Sequence, residues 1–109
     1  MLLAFSVAPS GTPAGGNPAS PADGSVHDAV AAAVKIVRES GLPHQTDSMF
    51  TTIEGEWDEV FAVVKEATEA VGRFGSRVSL VIKADIRPGY SGELSGKVER
   101  LEKAISESR

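Results

Sequence analysis

Two segments between residues 26 and 74 of this 109-residue chain show helical apolar spacing, and each carries a single apolar stripe. In the first, Val26, Ala29, Val30, Ala33, Val34 and Val37 recur on one side, with Asp28, Lys35, Arg38 and Glu39 on the other. In the second, over residues 56–74, Trp57, Val60, Phe61, Val64, Thr68 and Val71 keep the same period. A helix with one stripe covers one surface only. Around these helices lie segments of strand character. Leu3, Phe5 and Val7 alternate with Leu2, Ala4, Ser6 and Ala8 over residues 2–8. In "SRVSLVIKADIRPG", Val78, Leu80, Ile82, Ala84 and Ile86 alternate with Arg77, Ser79, Val81, Lys83, Asp85 and Arg87. Residues 44–54, rich in Thr, predict two short strands joined by a tight turn or bulge near Asp47-Ser48. The order is strand, helix, strand pair, helix, strand. That is the ferredoxin-like split βαβ pattern of the α+β class: a four-stranded antiparallel sheet with both helices on one face. The other face is left to water, a ligand or another subunit.

Local signals punctuate this order. Ser25 is a candidate N-cap with Asp28 three residues on, and Gly41 followed by Pro43 ends the first helix. Gly75 stops the second. An extra C-terminal helix is predicted over 94–106, where Leu94, Val98, Leu101 and Ile105 make one narrow contact seam. Residues 9–24 are rich in Pro, Gly, Ala and Ser and predict a flexible loop inserted between the first strand and first helix. With 41% hydrophobic residues, the chain is expected to form one small domain, 1–109, around a modest core.

Composition narrows the function. The net charge is −4 with basic residues scattered, so neither nucleic acid nor an acidic membrane is an expected partner. There is no cysteine, which excludes disulfides and thiolate chemistry and suits a reducing cytoplasm. The opening "MLLAFSVAPSG" lacks the basic n-region of a signal peptide, and no run reaches the roughly 20 apolar residues of a membrane helix. A cytoplasmic protein is expected. His27 and His44 have no metal-ligand spacing, no G-x-S-x-G elbow occurs, and Gly11, Gly15 and Gly16 precede no GK[ST]. No catalytic residue and no metal site is therefore predicted.

The acidic stretch Glu54-Gly55-Glu56-Trp57-Asp58-Glu59 divides. Glu56, Asp58 and Glu59 suit the first turn of a helix, where carboxylates meet the positive end of the dipole, and Trp57 falls in phase with the packing stripe as a core or subunit-contact anchor. Glu54, at the end of a strand, is the member expected to meet a ligand, with Gly55 permitting a sharp turn between the two tasks. It joins a polar set of Ser6, Asp47, Thr51, Thr52, Lys83 and Asp85, with Met49 and Phe50 among them. Hydroxyls, carboxylates and an aromatic ring together suit a small, planar, polar cation. An amino-heterocycle needs acceptors for its exocyclic amine, and a cationic ring favours a carboxylate or a π-face. The same set could also line a solvated sheet face.

The stretches "FSVAPSGT", "AAAVKIVRESGLPHQTDSMFTTIEGEWDEV" and "VSLVIKADIRPG" resemble the small thiamine-binding protein family over nearly the whole chain. The resemblance implies a ferredoxin-like fold that assembles through its sheets, commonly as a dimer of dimers. It also implies binding of thiamine (vitamin B1) or its hydroxymethylpyrimidine part, with no established reaction and no cofactor beyond that ligand. It puts the ligand near Ser6, residues 47–52, Glu54, Lys83 and Asp85. The Pro/Gly/Ala tract before Ser25 is longer than the family's usual connection. The leading expectation is a non-enzymatic carrier, reservoir or sensor, assembled as a homotetramer. The alternatives are a small enzyme with Glu54 or Asp85 as general base, and a structural assembly module.

Overall fold

The computed structural model describes residues 1–12 and 27–108. In chain order it contains β1 (Leu2–Ser10), α1 (His27–Glu39), β2 (His44–Thr46), β3 (Thr51–Glu54), α2 (Trp57–Val71), a 3₁₀ turn (Gly72–Phe74), β4 (Arg77–Asp85) and α3 (Glu93–Glu107). The strands form one antiparallel sheet in the order β2-β3-β1-β4. This is the α+β, ferredoxin-like arrangement expected from the pattern. β4 pairs with β1 along its whole length, from Leu2↔Asp85 to Ser10↔Arg77, whereas β3 pairs only with Leu2 to Phe5.

Alternation along β1 sends Leu3, Phe5 and Val7 into the core, with Ile53 of β3 beside them. Against these, α1 buries Ala29, Ala33 and Val37, and α2 buries Val60, Val64, Ala67 and Val71. The alanines at four-residue spacing let α1 approach the sheet closely. Gly41, at φ 78°, takes the left-handed conformation that ends α1 without a steric penalty. At the start of α2, the Glu59 carboxylate accepts the Glu56 backbone N–H at 3.0 Å, one half of a capping box.

Several expectations need correction. β1 runs to Ser10, so residues 9 and 10 belong to the sheet rather than to the loop. The rest of the expected loop, with Ser25 and Val26, lies outside the described residues apart from Gly11 and Thr12. α2 ends at Val71 and passes into a 3₁₀ turn before Gly75. Trp57 is not a core residue of this chain. It is 53% exposed and stacks on Phe61 at a 5.3 Å centroid separation, because the buried face of α2 is set one position further round, by Val63, Val64, Ala67 and Ala70. Gly55 has no positive φ; a Cβ there would crowd Val60, Glu59 and Leu42 at 3.3–3.4 Å, so space and not turning explains the glycine.

The helices cover β3 and β1 more fully than β4, leaving Leu80 and Ile82 partly exposed on the helix side. α3 crosses one end of the opposite sheet face and then projects from it. The radius of gyration is 16.3 Å, against roughly 13 Å for a compact chain of this length. Val98, Leu101 and Ile105 of its apolar seam are each more than half exposed.

Candidate functional site

The β2–β3 turn is built by one side chain. Asp47 Oδ1 accepts the backbone N–H groups of Met49 and Phe50, both at 2.8 Å, while the Asp47 N–H donates to the Phe50 carbonyl at 2.9 Å. This is an Asx-type turn, a frequent role for Asp between short strands. The Phe50 and then the Met49 N–H hold the Asp47 carboxyl below its ordinary value. One consequence reaches β1. Were β3 to continue back from Thr51, the Met49 amide would face β1. Bonded to Asp47 instead, it turns away, and the β1–β3 ladder stops at Phe5↔Thr51.

A cavity of about 250 Å³ opens where the ladder stops. Its walls are Phe5, Ser6, Val7 and Ala8 of β1, Val30, Ala33 and Val34 of α1, and Thr46 to Thr51 of the hairpin. Thr46 and Thr51 tie the hairpin across its base, hydroxyl to hydroxyl, at 3.1 Å. Five of the residues expected at a ligand site line this one space: Ser6, Asp47, Met49, Phe50 and Thr51. The lining is largely apolar, with hydroxyls and one carboxylate at its rim. Pockets of this kind hold small ligands by a few placed polar groups.

The remaining expected residues sit elsewhere. Thr52, Glu54, Lys83 and Asp85 lie on the sheet face away from α1 and α2, in cross-strand rows with Ala4 and Leu2. Thr52 and Asp47 line a second cavity of about 240 Å³ beneath α3, with Leu2, Gln45, Leu94, Lys97 and Val98. Glu54 is buried, and its carboxylate accepts the backbone N–H groups of Glu93 and Leu94 at 2.8 and 3.3 Å. It caps the N-terminus of α3, where free amides and the helix dipole favour an anion. Asp85 pairs with Lys97, and that ammonium holds its carboxyl below the ordinary range. Glu93, also buried, pairs with Arg100 at 2.6 Å. Glu54 and Asp85 of this face thus fasten α3.

Sequence reasoning missed the α1 wall, Val30, Ala33 and Val34, as part of a site. The α1 residues read as core, since an apolar side chain gives no sign of which part of its surface meets a gap. Among the described residues no helix is long and apolar enough to cross a membrane.

Comparison with known proteins agrees with this architecture. The profile of a family described as thiamine-binding protein matches residues 3–102. The chain is 47% identical over 106 residues to the UPF0045 protein Mb1933 of Mycobacterium bovis, covering 96% of this chain and 94% of that one. A domain of unknown function, DUF77, from Bacillus cereus has a solved structure that matches at 31% identity and a TM-score of 0.70, over 89% of this chain and 85% of that chain. The hypothetical protein MJ1052 from Methanocaldococcus jannascii matches at 26% identity and a TM-score of 0.75, over 93% and 94% of the two chains. With the profile spanning most of its length and a near full-length relative this similar, the chain belongs to the thiamine-binding protein family.

Proposed function

We propose that this protein binds thiamine, or the hydroxymethylpyrimidine part of it, in the cavity between β1, α1 and the 47–50 turn, and that it acts as a carrier, reservoir or sensor rather than an enzyme. The observation that carries the reading is the convergence of Ser6, Asp47, Met49, Phe50 and Thr51 on one cavity in a chain of this family. The apolar wall from α1 suits the ring, and the rim hydroxyls suit polar substituents.

The state of the carboxylates supports binding over catalysis. A general base working near neutral pH needs its pKa raised toward the working range. Asp85 is shifted the other way by Lys97, and Glu54 is occupied by two backbone N–H groups. The protein is proposed to be cytoplasmic and to work as a closed homo-oligomer, a tetramer made of two dimers. The exposed seam of α3 on one side of the sheet, and the exposed Leu80 and Ile82 of β4 beside α2 on the other, support assembly, since exposed apolar side chains gathered on a surface mark contact regions.

Isothermal titration with thiamine and with hydroxymethylpyrimidine tests the reading. A ligand present at about 100 times its dissociation constant stabilises the native state by roughly 2.7 kcal/mol. Absence of both heat and thermal stabilisation up to millimolar ligand would refute it. Conversion of either ligand to a new mass would replace the carrier with an enzyme.

A further inference from the structure

The main chain of β1 carries an unused pairing position inside the cavity. Met1 and Gly55 exchange two hydrogen bonds, Met1 N to the Gly55 carbonyl at 2.8 Å and Gly55 N to the Met1 carbonyl at 3.1 Å. In an antiparallel ladder such exchanging pairs recur at every second residue. The register then gives Leu3 with Ile53 and Phe5 with Thr51 as the next two. The fourth position on this edge belongs to Val7. Its N–H and C=O point toward the hairpin side, and no partner for them exists among the described residues, because Asp47 has drawn the Met49 amide away. Val7 is 7% exposed and, with Phe5, Ser6 and Ala8, lines the cavity, so these two groups lie at its wall. Unpaired buried main-chain groups are uncommon and call for a partner.

The neighbouring position indicates the size of that partner. Pro9, next on the same edge, has no N–H to offer a continuing ladder. A peptide strand would therefore find one pairing position and then a proline, which is how natural sheets blunt an edge. A small planar molecule needs only the one position. Resting on the binding reading above, we infer that the Val7 N–H and C=O read the amino edge of the pyrimidine. The ring nitrogen accepts the Val7 N–H and the adjacent exocyclic amine donates to the Val7 carbonyl, as a fourth rung of the β1–β3 ladder. This edge holds a donor and an acceptor side by side in one plane, the same arrangement as a carboxamide, which complements the N–H and C=O of one extended residue. Asp47 acts here as a positioning residue. It holds the turn in the shape that leaves the rung open and does not need to touch the ligand.

The test uses the full chain, ¹⁵N-labelled, with 4-amino-5-hydroxymethyl-2-methylpyrimidine and with the same ring lacking the amine. Without ligand, the Val7 amide should exchange fast for its place in a central strand, while the Phe5 amide is protected. At about 100 times the dissociation constant, Val7 exchange should slow by about 100-fold, since only the free fraction exchanges. The ring without its amine should bind about tenfold more weakly or worse, because it leaves the Val7 carbonyl unpaired. Binding of the aminopyrimidine by calorimetry with Val7 exchange unchanged would overturn this pairing and leave the binding function standing. Equal affinity for the two rings would do the same. No binding of either ring would overturn both.

Discussion

Replacing Glu54 by Ala removes the acceptor that holds α3 to the sheet. The carboxylate is buried, takes the Glu93 N–H at 2.8 Å and lies within 3.3 Å of the Leu94 N–H. A hydrogen bond to a charged group contributes about 1.5–3 kcal/mol, and the favourable field at the helix N-terminus is part of that figure. Little else secures the helix: Leu94 is half-buried, the Lys97–Asp85 pair is solvent-screened, and Val98, Leu101 and Ile105 are exposed. The loss should therefore fall on α3 rather than on the whole domain. At 1.4 kcal/mol per factor of ten, amide protection across α3 should drop by about 10- to 150-fold. Amides of Leu3 and Phe5, in the core of the sheet, should keep theirs. Native-state hydrogen exchange by NMR reads both sets in one experiment. If α3 protection is unchanged in Glu54→Ala while hydroxymethylpyrimidine affinity falls by tenfold or more, the capping argument fails and Glu54 is a ligand residue, as its place in the sequence suggested.

Three further outcomes follow from the structure. Asp47 has a lowered pKa in the folded chain, so the stability that it lends the 47–50 turn is fully present above its ordinary value of 3.8 and is lost as pH falls below that through the lowered value. Met49 and Phe50 amide exchange followed from neutral pH to pH 2 should stay slow until below pH 4. Asp47→Ala should abolish that protection at every pH. Leu101→Glu together with Ile105→Glu places charge on the exposed seam of α3 and, if that seam holds the proposed oligomer together, should lower the mass read by light scattering without unfolding the chain. Ile53→Ala empties a fully buried position and should destabilise the fold by about 2–5 kcal/mol in urea titration.

Much of the fold was legible because its elements follow from local periodicity. Leu3, Phe5 and Val7 alternate, Ala29, Ala33 and Val37 step by four, and both patterns survive in the packed structure. The Asp47-Ser48 turn was legible for a similar reason, since the side chain that makes it lies in the turn itself. What depended on distant partners was not. Glu54 looked like a ligand group because the amides that it caps are 39 and 40 residues further along the chain. Trp57 fell in phase with a stripe, but the sheet meets α2 slightly round from that stripe and leaves the indole outside. Asp47, Met49, Phe50 and Thr51 share the cavity because one hairpin carries them, and Ser6 borders it from the edge of β1 although it alternates onto the other face with Thr52, Glu54, Lys83 and Asp85. The open position at Val7 could not be read at all. It is a property of register and of the main chain, and the sequence shows only an apolar side chain in a strand.

The central claim, that the space beside β1 and the 47–50 turn is where the pyrimidine binds, is tested most directly by mapping backbone amide shifts on titration with hydroxymethylpyrimidine. The largest changes should fall on residues 5–8, Val30, Ala33, Val34 and residues 46–51, which wall the cavity of about 250 Å³. Largest changes at Leu2, Gln45, Thr52, Leu94, Lys97 and Val98, which surround the space beneath α3, would contradict it.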